Sequence, residues 1–110
     1  MTLLSDVLPP QLKIADILGE PIVIYRWYEE TRTFKGESVN GIVIVFRFIA
    51  HVDGPDRFLF TSSHVIWSTL ERVDEQAKER ADVYPLECCI VKRKNYYELV
   101  DPYEVVERND

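Results

Sequence analysis

Glycine, cysteine and histidine are scarce in this chain of 110 residues, which holds four, two and two of them. Four scattered glycines provide no glycine-rich loop to cradle a nucleotide phosphate. The two cysteines, Cys88 and Cys89, are adjacent and face opposite sides of any strand, so they do not bond to each other; a reducing, cytoplasmic compartment follows (host cytoplasm, if the protein is viral). His51 and His64 lie far from each other and from both cysteines, which leaves no metal-ligand spacing and predicts no metal and no cofactor. Long apolar runs are missing too. The longest, Gly41–Phe46, stops at Arg47, well short of the roughly eighteen residues of a membrane span, and no basic region followed by an apolar one marks a secretion leader. Neither a membrane partner nor secretion is expected. Nor is catalysis: His64 has no matching nucleophile, Ser62 and Ser63 serve as helix caps, and Glu29 and Glu30 are loop neighbours without an apolar site to raise a carboxyl pKa.

What is present is a folded composition, with 46% hydrophobic residues and thirteen aromatic rings, in a length that makes one domain. The net charge of −6 argues against a nucleic-acid partner until its distribution is read. Residues 26–60 and 92–97 carry eight basic and five acidic side chains, whereas the rest of the chain carries five and fourteen. Acidity belongs to the helix and the ends, and the strands keep a locally positive surface.

Residues 1–11, ending near Pro9-Pro10, read as an amino-terminal arm, and residues 104–110 as a short charged tail. Leu12–Leu18 fits either a short helix or an extended lead-in. Pro21–Tyr28 reads as the first strand, with Ile22 and Ile24 inward and Tyr25 and Trp27 outward unless a bulge near Arg26 resets the alternation. A loop over 29–40 carries Arg32, Phe34 and Lys35. Gly41–Ile49 is the second strand, with Arg47 marking its outer face, and Arg57–Thr61 the third, with Phe58 and Phe60 inward by the same logic. A helix capped at Ser62 or Ser63 runs to about Arg80 on a stripe of Ile66, Leu70, Val73 and Ala77. Leu86–Lys92 and Tyr96–Val100 close the list as strands joined at Arg93-Lys94-Asn95.

Strand, strand, strand, helix, strand, strand is the order of the OB-fold, a mainly β, five-stranded Greek-key barrel whose helix lies between strands three and four; here it spans residues 12–103. The lead Ile14-Ala-Asp16 to Gly19, the segment Phe58-Leu-Phe-Thr-Ser-Ser63 before the helix, and Lys92-Arg-Lys-Asn-Tyr-Tyr97 resemble small OB-fold single-stranded DNA-binding proteins of phages and other prokaryotic viruses. The resemblance implies non-enzymatic, largely sequence-independent binding of single-stranded DNA, with RNA left open, beside replication or recombination proteins.

Such binding needs flat side chains on which bases stack and cations along the sugar-phosphate path. Tyr25, Trp27, Phe34 and Tyr96 are the candidate rings. Arg32, Lys35, Arg47, Arg57, Lys92, Arg93 and Lys94 are the candidate cations. Packing accounts for Tyr25 and Trp27 equally well, and a solvated hairpin end accounts for Lys92–Lys94. The acidic balance supports a competing expectation, a barrel that docks proteins or imitates nucleic acid without binding it. An exposed edge on the first or fifth strand is also suited to a homodimer.

Overall fold

The computed structural model describes residues 11–102; the expected arm, up to residue 10, and the tail lie outside them. The described residues are mainly β with a single α-helix. Its strands are β1 (Gln11–Leu12), β2 (Ile22–Phe34), β3 (Glu37–Phe48), β4 (Arg57–Thr61), β5 (Leu86–Lys92) and β6 (Tyr97–Val100), and the helix α1 (His64–Ala77) follows β4. They form one sheet in the order β1-β4-β3-β2-β5-β6. All neighbours are antiparallel except β1, which runs parallel to β4 through Gln11 opposite Phe58 and Leu12 opposite Leu59. Among the described residues the sheet stays open, since β6 pairs with β5 alone. Residues 12–18, whose sequence fits either a short helix or an extended lead-in, are neither throughout: Leu12 is strand, Ile14–Asp16 a 3-10 turn, and Leu18 a bridge to Ile90.

The expected loop over 29–40 is not a loop. β2 and β3 pair from Ile22 opposite Phe48 to Phe34 opposite Glu37, with a single irregularity between Ile24 and Arg26, and only Lys35 and Gly36 turn the chain. Both take positive φ, 51° and 83°, the conformation of a two-residue hairpin turn that follows the strands' twist and suits glycine at the second position. Thr31 and Asn40, opposite each other, add a side-chain hydrogen bond of 2.8 Å.

The bulge near Arg26 is present. Ile24 pairs with Phe46 but Arg26 with Val45, so Tyr25 is the extra residue. From there the alternation inverts. Trp27 therefore faces α1, where its Nε1 donates to Asp74 at 3.2 Å and Tyr84 donates its hydroxyl to the same oxygen. This corrects the outward placement of Trp27.

Between sheet and helix lies one core, in which Ile22, Ile24, Ile42, Ile44, Phe46 and Leu59 meet Ile66 and Leu70 of the helix. Each fully buried aliphatic side chain contributes about 1.5–3 kcal/mol relative to exposure. Ser63 caps the helix by accepting from the Ile66 amide at 3.4 Å, and Val73 and Ala77 continue the stripe half-buried.

One facing expectation needs correction, and one outward-facing pair is buried. Val43 and Val45 do point away from α1, yet they are as buried as their neighbours, because Tyr28 and Phe60 flank the one and Arg26 and Phe58 the other. In β4 it is Leu59 and Thr61 that are buried, and Phe58 and Phe60 lie half-buried on the outer face, the face away from the helix. Arg57 misleads as a marker of facing: at a strand end an arginine reaches solvent from either face.

Candidate nucleic-acid interface

The bulge and the hairpin together assemble an outer face of rings and arginines. Arg32 lies over the Phe60 ring, 4.4 Å from its centroid, and Phe34 tilts against the same ring at 6.2 Å. Both distances fall within the range of favourable cation–π and aromatic contacts. Gly41 makes room for this stack. A Cβ there would stand 2.6 Å from the Thr61 carbonyl oxygen and 2.7 Å from the Phe60 ring, closer than real Cβ atoms come. Further along, Arg47 lies over Tyr25 at 5.1 Å and Arg26 over Tyr28 at 6.0 Å.

Carboxylates hold two of these arginines. Arg32 donates through Nε to Glu30, and Arg47 through Nε to Asp56 at 2.8 Å and through Nη1 to the Val52 carbonyl at 3.0 Å. The Asp56 hydrogen bond, more than anything else, raises the pKa of Arg47. Phe34 remains 52% exposed and Tyr28 40%, so their rings are accessible from solvent.

From the Phe34 end, the outer face opens into a groove. A concavity of about 490 Å³ between Phe34, Val39, Phe60 and Tyr97 adjoins a second of about 430 Å³ between His64, Lys92, Lys94 and Tyr96. Ser62, Ser63 and Tyr97 border both. Among the described residues the lining of neither includes a carboxylate, although the chain has nineteen. Lys92 and Lys94 have no ion pair among the described residues. The β5–β6 turn that carries Lys94 is closed by the Arg93 amide donating to the Tyr96 carbonyl at 2.8 Å, and Tyr96 is 45% exposed.

Of the residues singled out in the sequence, the structure gathers Phe34, Lys92, Lys94 and Tyr96 along this groove and Arg32 beside it, with Tyr25 and Arg47 on the same sheet face. It does not bring in the others. Lys35 sits exposed in the hairpin turn, Arg57 shares a face with Leu59, Arg93 pairs with Glu98, and Trp27 faces the helix. Phe60, Tyr97, Ser62 and Ser63 were missed as site residues. A cross-strand register pairing Phe60 with Val43 was the signal that would have found the first.

On the other side of the β5–β6 hairpin lies a concavity of about 310 Å³ bordered by Val73, Leu86, Leu99, Glu87, Glu98 and Asp101. Cys88 also borders it, buried, and burial pushes its thiol up to about 12. Among the described residues no three acidic, histidine or cysteine side chains cluster as metal ligands, and no helix is long and apolar enough to cross a membrane.

The model of a family described as "Domain of unknown function (DUF8468)" matches residues 10–100. No curated protein and no solved structure matches the chain.

Proposed function

The chain belongs to the family so described, and we propose that it is a non-enzymatic protein binding single-stranded DNA, largely independently of sequence, on an OB-type frame. The strand order β4-β3-β2-β5-β6 with the helix between β4 and β5 supports that frame, because an OB barrel places its strands in this succession. In such a frame the turn after the first long strand and the turn between the last two flank the ligand. Here those are Lys35-Gly36 and Arg93–Tyr96.

The observation that carries the reading is the groove: among the described residues it is free of carboxylates in an acidic chain, ringed by Phe34, Phe60, Tyr96 and Tyr97, and supplied with two lysines that have no ion pair there. Stacking on a ring contributes about 1–3 kcal/mol per base and needs no particular base, since every base has a flat face. Phosphates neutralised by Lys92 and Lys94 make affinity fall with salt by about 0.7 log units each per log unit of salt. Replication or recombination in a prokaryote or its virus is the setting implied by the resemblance, with a cytoplasmic location.

A second reading, protein docking, is favoured by the acidic concavity between α1 and β6. A fluorescence-polarisation titration with labelled oligo-dT at two salt concentrations separates them. Strand binding predicts saturable polarisation that weakens with salt; no binding at the lower salt overturns it in favour of docking. Oligo-rU in the same assay assigns the sugar preference.

A further inference from the structure

Two places on the outer face share one construction. At the first, the Arg32 guanidinium rests on the Phe60 ring and its Nε donates to Glu30; at the second, Arg47 rests on Tyr25 and donates to Asp56. In both, a guanidinium covers a ring on which a base could stack, and a carboxylate takes the donor that a phosphate oxygen would take. The pairs lie on neighbouring strands and loops of one sheet face, and both are half-exposed, so a ligand anion reaches them.

We infer that Glu30 and Asp56 are specificity-determining residues of the interface proposed above: as intramolecular competitors for Arg32 and Arg47, they admit a continuous strand and turn away isolated nucleotides. The inference rests on the strand-binding reading. Freeing an arginine from a partly exposed pair costs about fivefold in affinity at most. A mononucleotide offers one phosphate and one base against that cost, and gains little. A strand already seated on Phe34 and the lysine groove delivers its next phosphates at high effective concentration, and each further stacked base adds roughly fivefold or more. The carboxylates therefore set a threshold that linked nucleotides pass and single ones do not.

Glu30→Gln, Asp56→Asn and the double variant test this in the full chain, with oligo-dT and thymidine monophosphate as probes. Each single change is expected to tighten oligo-dT about two- to fivefold and to steepen the salt dependence by about 0.7 log units per log unit of salt. In the double variant thymidine monophosphate becomes a measurable competitor, while the strand, which gains at both arginines, remains the tighter ligand. Glu37→Gln, on the same hairpin and without an ion pair among the described residues, controls for a general gain from lost negative charge and should leave the slope unchanged. If the parent binds oligo-dT but the double variant binds it no tighter, or more weakly, the competitor role is wrong and the carboxylates only position the arginines. If the parent does not bind oligo-dT at all, the strand reading itself falls, and this inference with it.

Discussion

The β5–β6 hairpin separates a groove of two adjoining concavities, about 490 and 430 Å³, from a smaller concavity of about 310 Å³ and opposite chemistry. Toward β4 the described residues offer Lys92, Lys94 and four rings with no carboxylate; toward α1 they offer Glu87, Glu98 and Asp101 around Leu86 and Leu99. A net charge of −6 describes neither side. What a polyanion meets are the charges within a Debye length of about 10 Å, and the charged side chains lining the two surfaces differ in sign.

Abolishing that difference should have the largest effect. The double reversal Lys92→Glu with Lys94→Glu makes both concavities acidic and is expected to weaken oligo-dT binding by roughly a hundredfold, read by fluorescence polarisation, with the circular-dichroism spectrum unchanged. Phe34→Ala removes the exposed ring at the other end of the groove. A loss of about five- to hundredfold in oligo-dT affinity is expected, with little change in melting temperature because the ring is half in solvent; retained affinity would remove Phe34 from the interface.

Two smaller effects sharpen the contrast from the helix side. Trp27→Phe deletes the indole donor to Asp74 and should cost about 0.5–1.5 kcal/mol in urea denaturation while oligo-dT binding stays at the parent value. A fall in binding equal to that of Phe34→Ala would extend the interface to the helix side. The smallest effect is that of pH at Cys88. Its folded pKa is raised from 9.0 to about 12, so the thiol's contribution to stability is complete below about pH 9 and is lost as pH rises toward 12. Melting temperature measured along that alkaline range should decline less in Cys88→Ser than in the parent.

Much of the frame was legible in the residues because β-branched alternation, the serine cap and the apolar stripe of α1 are local signals. The bulge at Tyr25 was also legible, since a charged Arg26 conflicts with an uninterrupted alternation from Ile22. Facing in β4 was not. Five residues with an arginine at one end and three apolar ones between are consistent with either orientation, and only pairing with β3 decides that Leu59 goes in. The hairpin turn escaped because Lys35-Gly36 lacks the asparagine or aspartate that usually marks it, and the strands leading to it are polar. Of the site, the lysines and Phe34 were readable from composition alone; that they share a groove with Phe60 and Tyr97 depends on contacts between strands far apart in the chain.

The one-residue excess in β2 has a consequence for how this surface varies. Deleting Tyr25 would remove the bulge and leave the facing beyond it as it is, since Ile24 opposite Phe46 would be followed directly by Arg26 opposite Val45; pairing Tyr25 itself opposite Val45 would instead turn Trp27 and Glu29 outward and Arg32 and Phe34 toward the helix, because side chains alternate strictly along a strand. A relative whose first long strand is one residue shorter at this point would therefore keep both of the hairpin's surfaces and lose only the ring that Arg47 covers.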